Sequence, residues 1–329
     1  MSHGAAPIFA ALFAALLTPL PAQATAPDDP FHLVARLDER VQTAGWRLAR
    51  GNRAFCPDLA PATGLLLQDL QGWDEPVAAR GAFGVSPSTQ VIVGAVAAGS
   101  PAQKAGLRAG EPVRTIADTV TEGDLPAAAP GSFARQTALF DLLDASLARN
   151  GWVAIGTDGE DGKRRFLKIA GEPACASRFE IQTSGDLAKA DGRRVLVSAT
   201  MALELADEDQ FAFVVAHEMA HNLLGHVALL RQTGRGWSKV RRTEREADRL
   251  AVWLMANAGY DPAGAAAFMK GWARANDAGF LDPTHDAWDE RLAGVEAEIA
   301  LLAAEPRRVG GYDWSRRFPR GGTVAKSDR

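Results

Sequence analysis

The segment from Asp207 to Leu224 constrains this chain more than any other. Asp207 followed three residues later by Gln210 is a helix-start pattern. Phe211, Val214, Val215, Met219, Leu223 and Leu224 then make the predicted helix apolar on most sides. A helix that apolar is buried, yet it carries His217, Glu218 and His221, whose burial is costly unless something pairs with them. Positions i and i+4 share a helix face, so both imidazoles can reach one metal ion. Glu218 follows the first imidazole by one residue, which aims it at a water on that metal rather than at the metal. The chain has only six histidines in 329 residues, so the spacing stands out.

A third ligand is available downstream. Arg242-Thr243-Glu244-Arg245-Glu246-Ala247-Asp248 opens a second predicted helix that stops at Gly259. Thr243 and Glu246 read as a capping box at its start. Glu244 and Asp248, four apart, share a face: Glu244 is the candidate ligand and Asp248 a support accepting a hydrogen bond from a ligand histidine. Glu246 is the alternative ligand. Two histidines and one glutamate with an open fourth position are a catalytic zinc arrangement, since structural zinc sites close all four. One Zn²⁺ per chain is expected.

Composition narrows the setting. Hydrophobic residues at 47% and charged residues at 23% argue against general disorder. With 36 basic and 40 acidic side chains the formal charge is −4, which offers no basic face for nucleic acid. Two cysteines exclude a four-thiolate zinc site. Ile8 to Leu17 is an apolar run too short for a bilayer span of about 20 residues but right for an export-signal core. Ala22 and Ala24 form a cleavage-like site, so residues 1–24 read as a signal peptide, with an uncleaved anchor as the alternative. No later segment is long enough to cross a membrane, and a periplasmic or secreted location is expected. An oxidising compartment preserves disulfides, so Cys56 and Cys175 are expected to bond. Two separate buried thiols are the alternative.

Between the cysteines the pattern is β-rich. Gln90–Val96, Val113–Ile116, Trp152–Ile155 and Arg165–Ile169 are strand-like, and Gln136–Ala148 is an amphipathic helix. With the phrase GSPAQKAGLRAG at 99–110 this order resembles a PDZ domain of the bacterial HtrA type over residues 80–170. The resemblance implies a peptide groove between the Val91–Val96 strand and the Gln136–Ala148 helix. There an extended C-terminal peptide would add as a strand, its carboxylate received by the backbone of Phe83, Gly84 and Val85. Packing against its neighbour with no ligand is the plainer alternative.

The catalytic segment also carries a resemblance. HEMAHNLLGH, EREAD, GYDP and THDAWDERL resemble the HtpX and CAAX-prenyl-protease family of zinc metallopeptidases, closest to its soluble, exported, BepA-like branch. It implies His217, His221 and Glu244 as ligands, Glu218 as base, and Asp248 as support. It further implies that Val195, Leu196 and Val197 form the edge strand holding substrate, and that His285 or Arg291 stabilises the developing oxyanion. Asp286 stands where the family has proline after the histidine.

The expected architecture is α+β: a mainly helical, zincin-type protease domain with a small edge-strand sheet, interrupted by a β-rich PDZ-like unit. The divisions are 1–24 signal, 25–79 N-terminal helical part and linker, 80–170 inserted unit, 171–305 protease, and 306–329 a flexible basic tail. The expected activity is zinc-dependent hydrolysis of unfolded or flexible exported polypeptides. A PDZ-led binding or chaperone protein with a latent protease is the second class, and a zinc aminopeptidase the third. His226 is read as packing or capping the helix end, His32 as solvated, and the tryptophans as core or rim.

Overall fold

In a computed structural model, residues 29–126, 131–159, 162–276 and 288–320 are described, without the side chains of 272–276. The expected signal segment and His285 lie outside them. In chain order the elements are α1 (Pro30–Gly51), β1 (Leu59–Ala62), β2 (Leu65–Asp69), α2 (Pro76–Ala82), β3 (Val91–Val96), α3 (Pro101–Lys104), β4 (Val113–Ile116), β5 (Thr119–Val120), α4 (Ala134–Asn150), β6 (Trp152–Asp158) and β7 (Arg164–Ala170). There follow β8 (Glu172–Cys175), β9 (Arg178–Gln182), β10 (Lys189–Ala190), β11 (Arg194–Ser198), α5 (Ala199–Glu204), α6 (Glu208–Leu224), α7 (His226–Thr233), α8 (Trp237–Ala258), α9 (Ala263–Asn276) and α10 (Trp288–Ala304). The architecture is α+β.

Helix α1 starts where Asp29 accepts the Phe31 N–H and Pro30 supplies a preset first turn. Its Leu37, Val41, Ala44 and Leu48 recur at helical spacing and enter one core with Phe211, Val215 and Met219 of α6 and Leu250, Ala251 and Leu254 of α8. Gly45 is required here: a Cβ would fall 2.1 Å from the Phe179 ring, so α1 and β9 approach only because that side chain is missing. The sheet beside them runs β10-β11-β9. The expected edge strand at Val195, Leu196 and Val197 is therefore its middle strand, bonded to β9 on one side and, through Val195 and Leu196, to β10 on the other. The edge positions fall to β10 and β9.

A second, aliphatic core gathers Leu65, Leu67, Val91, Val93, Leu139, Leu143, Val153, Ile155 and Ile169. Here β2 pairs antiparallel with β3, and β4 pairs with β5 and β6, which pairs with β7. The unit thus includes β2 and begins well before residue 80, because Leu65 and Leu67 alternate into the same core. The chain leaves the helical lobe along β1 and returns along β8, its antiparallel partner, with Leu59 opposite Cys175. The Cys56–Cys175 disulfide closes the base of that neck.

Two expectations for this unit fail for physical reasons. The Phe83, Gly84 and Val85 amides donate to Ala79, Gly81 and Arg80 carbonyls at the end of α2, so none of the three is free for a carboxylate. The strand beside α4 is β2 rather than Val91–Val96. Gln136 occupies the Asp69 end of its outer edge, accepting the Asp69 N–H at 2.8 Å and donating to the Leu67 carbonyl at 2.6 Å. The Leu65–Leu66 end borders a cavity of about 340 Å³ lined also by Phe140, Leu143 and Leu147 of α4.

The segment after α10 also departs from expectation. Trp314 and Phe318 are buried in the helical core, and the Trp314 indole donates to Asn52 Oδ1 at 2.9 Å. Residues 306–320 are thus tied to the body by aromatic packing that the basic composition concealed. Among the described residues no helix is long and apolar enough to cross a membrane.

Candidate metal centre

Helix α6 positions the first two candidate ligands. Asp207 caps it by accepting the Asp209 and Gln210 N–H groups, and Gly225 ends it in the left-handed conformation with φ 71°. Between these caps His217 and His221 project one turn apart, their Nε2 atoms 3.2 Å from each other. Helix α8 crosses behind and brings Glu244 to both: Oε2 lies 3.4 Å from His217 Nε2 and Oε1 3.5 Å from His221 Nε2. Ligand atoms at zinc–nitrogen and zinc–oxygen bond lengths and a tetrahedral angle lie about 3.3 to 3.5 Å apart. These three side chains form the group able to hold a metal ion among the described residues.

Behind the ligands sits a buried ion pair. Asp248, one turn after Glu244, lies 2.9 Å from His217 Nδ1 and accepts two 2.7 Å hydrogen bonds from the Arg291 guanidinium. The resemblance implies His285 or Arg291 beside the oxyanion, and of the two Arg291 lies within the described residues. Its guanidinium is instead buried, bound to Asp248, stacked 4.8 Å over the Trp288 ring and 3.6 Å from Glu244. It holds Asp248, which backs His217, and lies beside the candidate ligand Glu244.

The electrostatics follow from these contacts. Burial opposes charge on His217, but hydrogen bonds to Asp248 and Glu244 outweigh it and push the imidazole up to about 10. His221 is pushed down to about 3 by burial and by the His217 ring. Burial would raise Glu244, yet the His217 hydrogen bond and the surrounding cations hold it below the ordinary carboxylate range. Glu218 moves the other way: burial raises it to about 7, with Glu244 adding to the rise, while His217 and the Ala190 backbone N–H work against it. That N–H belongs to β10, so Glu218 sits directly behind the edge of the sheet.

Residues 187–240 match the profile of Peptidase family M48. The matched segment takes in β10, β11, His217, Glu218 and His221 and stops four residues before Glu244. No curated protein matches the chain at a significant level. Peptidases of the M48 family are metal-dependent, and the match together with the His217, His221 and Glu244 cluster supports metallopeptidase activity.

Three features of the centre are absent from the sequence reading. Helix α8 begins at Trp237 behind Gly236, so Thr243 is a mid-helix residue whose hydroxyl donates to the Val240 carbonyl, and the capping box does not form. Glu246 faces away from the ligand cluster, its Oε2 3.1 Å from His226 Nε2. His226 itself stands 3.0 Å from His221, Nδ1 to Nδ1. Five residues along an unbroken helix would place it about 140° around the axis; the left-handed Gly225 turns it back. The signal was Gly225 itself, a helix stop between two histidines.

Proposed function

We propose that the chain is a zinc endopeptidase that cleaves extended segments of unfolded or flexible exported polypeptides. What carries the reading is the convergence of His217, His221 and Glu244, one ligand atom from each within 4.8 Å of the others, with a partly buried Glu218 beside them. A bound Zn²⁺ supplies a Lewis acid that polarises the scissile carbonyl and lowers the pKa of water toward about 7. Glu218, raised to about 7, is matched to accept a proton from that water near neutral pH and to return it to the leaving amine. Asp248 and Arg291 keep His217 and Glu244 in place while this happens. The outer edge of β10, beside Glu218, offers backbone groups for an extended substrate strand, which favours peptides free of their own structure.

The Cys56–Cys175 bond is consistent with an oxidising compartment, and the export reading rests on it together with the 1–24 pattern. The PDZ-like unit stands in this proposal as a wall and spacer beside the catalytic lobe. Gln136 on the Asp69 end of the outer edge of β2 disfavours strand addition at that end.

The purified mature chain should contain one zinc and should digest an unfolded protein such as reduced, alkylated casein. Chelation should stop this, and added Zn²⁺ should restore it. Absence of stoichiometric zinc, or digestion that survives chelation, overturns the reading.

A further inference from the structure

We propose that His226 and Glu246 form a relay that fixes the tautomer and ring orientation of His221, making both positioning residues for the metal. The inference rests on the zinc reading above and goes beyond it, since neither side chain touches the metal or the substrate.

Proton bookkeeping carries the argument. His221 turns Nε2 toward His217 Nε2 and Glu244, so that nitrogen is the ligand atom and needs its lone pair free. A neutral imidazole then carries its proton on Nδ1. The partner on that side is His226 Nδ1 at 3.0 Å, which must therefore accept. His226 in turn carries its own proton on Nε2, 3.1 Å from the acceptor-only carboxylate of Glu246. The opposite assignment would put a proton on the ligand nitrogen of His221 and turn a lone pair of His226 toward a carboxylate. Only one direction fits the donors and acceptors present.

The two ligand histidines are thus backed differently. His217 is held by a carboxylate that is itself clamped by Arg291, whereas His221 is held by an imidazole that stands between it and a carboxylate. Such outer partners orient ligand rings and raise their basicity, and their loss costs about ten- to a hundredfold in metal affinity. His226 is 2% exposed, while Glu246 is 25% exposed, with Arg242 Nε 3.8 Å from its second oxygen. The outer end of the relay can therefore be altered without opening the core.

The test measures zinc affinity in the full-length mature chain by competition with a chromophoric chelator. His226→Leu should bind zinc about ten- to a hundredfold more weakly. His226→Gln keeps an acceptor for His221 and a donor for Glu246 and should recover most of that loss. Glu246→Leu should weaken zinc measurably while leaving the melting temperature of the metal-free protein unchanged, which a packing role for the relay would not do. In the zinc-loaded wild type, nitrogen-15 NMR should place the His221 proton on Nδ1 and the His226 proton on Nε2. Wild-type zinc affinity in both His226→Leu and Glu246→Leu, equal losses in His226→Leu and His226→Gln, or the reverse tautomers would each overturn the relay. Failure of the wild type itself to bind zinc would instead strike down the reading on which the relay depends.

Discussion

The middle unit and the helical lobe both bury charge, and they dispose of it in opposite ways. In the middle unit Asp69 and Arg135 pair at 3.2 Å and bind the chain around them: Asp69 accepts the Gln71 N–H and Arg135 donates to the Pro126 carbonyl and to Gln90. Their donors and acceptors are directed into the fold, beside a core that is otherwise aliphatic. In the helical lobe Asp248 and Arg291 pair more tightly, through two 2.7 Å hydrogen bonds, and they support His217 and Glu244, two of three side chains whose ligand atoms face one another. Buried charge that the fold consumes is architecture; buried charge left converging on a gap can do chemistry. Substitutions should therefore separate the two regions, with activity lost from one and stability from the other.

The largest separation is expected at Glu218. Glu218→Gln removes the base and leaves His217, His221 and Glu244 intact, so peptide hydrolysis should fall by about 10²- to 10⁴-fold. Zinc stoichiometry and melting temperature should stay near wild type, because the carboxyl becomes an amide of the same shape. Hydrolysis at the wild-type rate would remove Glu218 from the mechanism. Glu244→Ala should behave differently and lose zinc on dialysis, as read by metal analysis. If it keeps one zinc per chain, the third ligand lies elsewhere.

The neck between the regions comes next. Cys56 and Cys175 are 119 residues apart in sequence, and the chain-entropy model gives a bond across such a loop about 4 to 5 kcal/mol, an upper figure. Replacing both with serine should lower the unfolding free energy by up to that amount in denaturant titration. Zinc affinity of the folded fraction should remain unchanged, since neither sulfur approaches the ligands. Unaltered stability would mean that β1 and β8 hold the neck unaided.

How far the sequence disclosed this arrangement differs between the two regions for physical reasons. His217, Glu218, His221, Glu244 and Asp248 are legible because a helix converts spacing into shared faces, and two helices suffice to bring the five together. The helix start at Trp237 was hidden because Arg235 to Arg242 has no apolar period and Gly236 caps without a side chain. The place of β2 was hidden because sheet membership depends on a partner beyond the α2 excursion, which local alternation does not name. The edge role of β10 eluded pattern reading for a similar reason: two residues carry no period at all. Tyr312, Trp314 and Phe318 lay among enough basic residues to look solvated, although the Asn52 side chain waits inside for the Trp314 indole.

A core truncation in the middle unit sharpens the contrast from the other side. Leu139 is fully buried between α4 and the β-strands, and Leu139→Ala should cost about 2 to 5 kcal/mol through lost burial and the cavity left behind. Zinc binding and hydrolysis at a temperature where the variant remains folded should match the wild type. A loss of activity larger than the loss of folded protein would show that the middle unit does more than stand beside the catalytic lobe.

The smallest effect concerns charge buried where α1 meets β9. Asp38 is 5% exposed, its Oδ1 accepts the Ile181 N–H at 2.8 Å, and burial pushes its carboxyl up to about 7, with the hydrogen bond opposing and Glu180 adding to the rise. Glu180 is likewise raised to about 7 by burial, against the pull of Arg194 and Arg178. The folded state therefore keeps protons that the unfolded chain releases near pH 4. The stability these groups contribute is fully present below about pH 4 and is lost as pH rises through about 7. Asp38→Asn keeps the acceptor for Ile181 and removes the charge. Relative to wild type it should be near neutral at pH 4 and stabilising at pH 8, by about 2 to 4 kcal/mol at most. Denaturant titrations at the two pH values read this directly. An equal loss at both would mean that Asp38 is ionised throughout, held by its neighbours as Asp248 is held by Arg291, and that the α1–β9 junction follows the rule of the metal centre instead of its own.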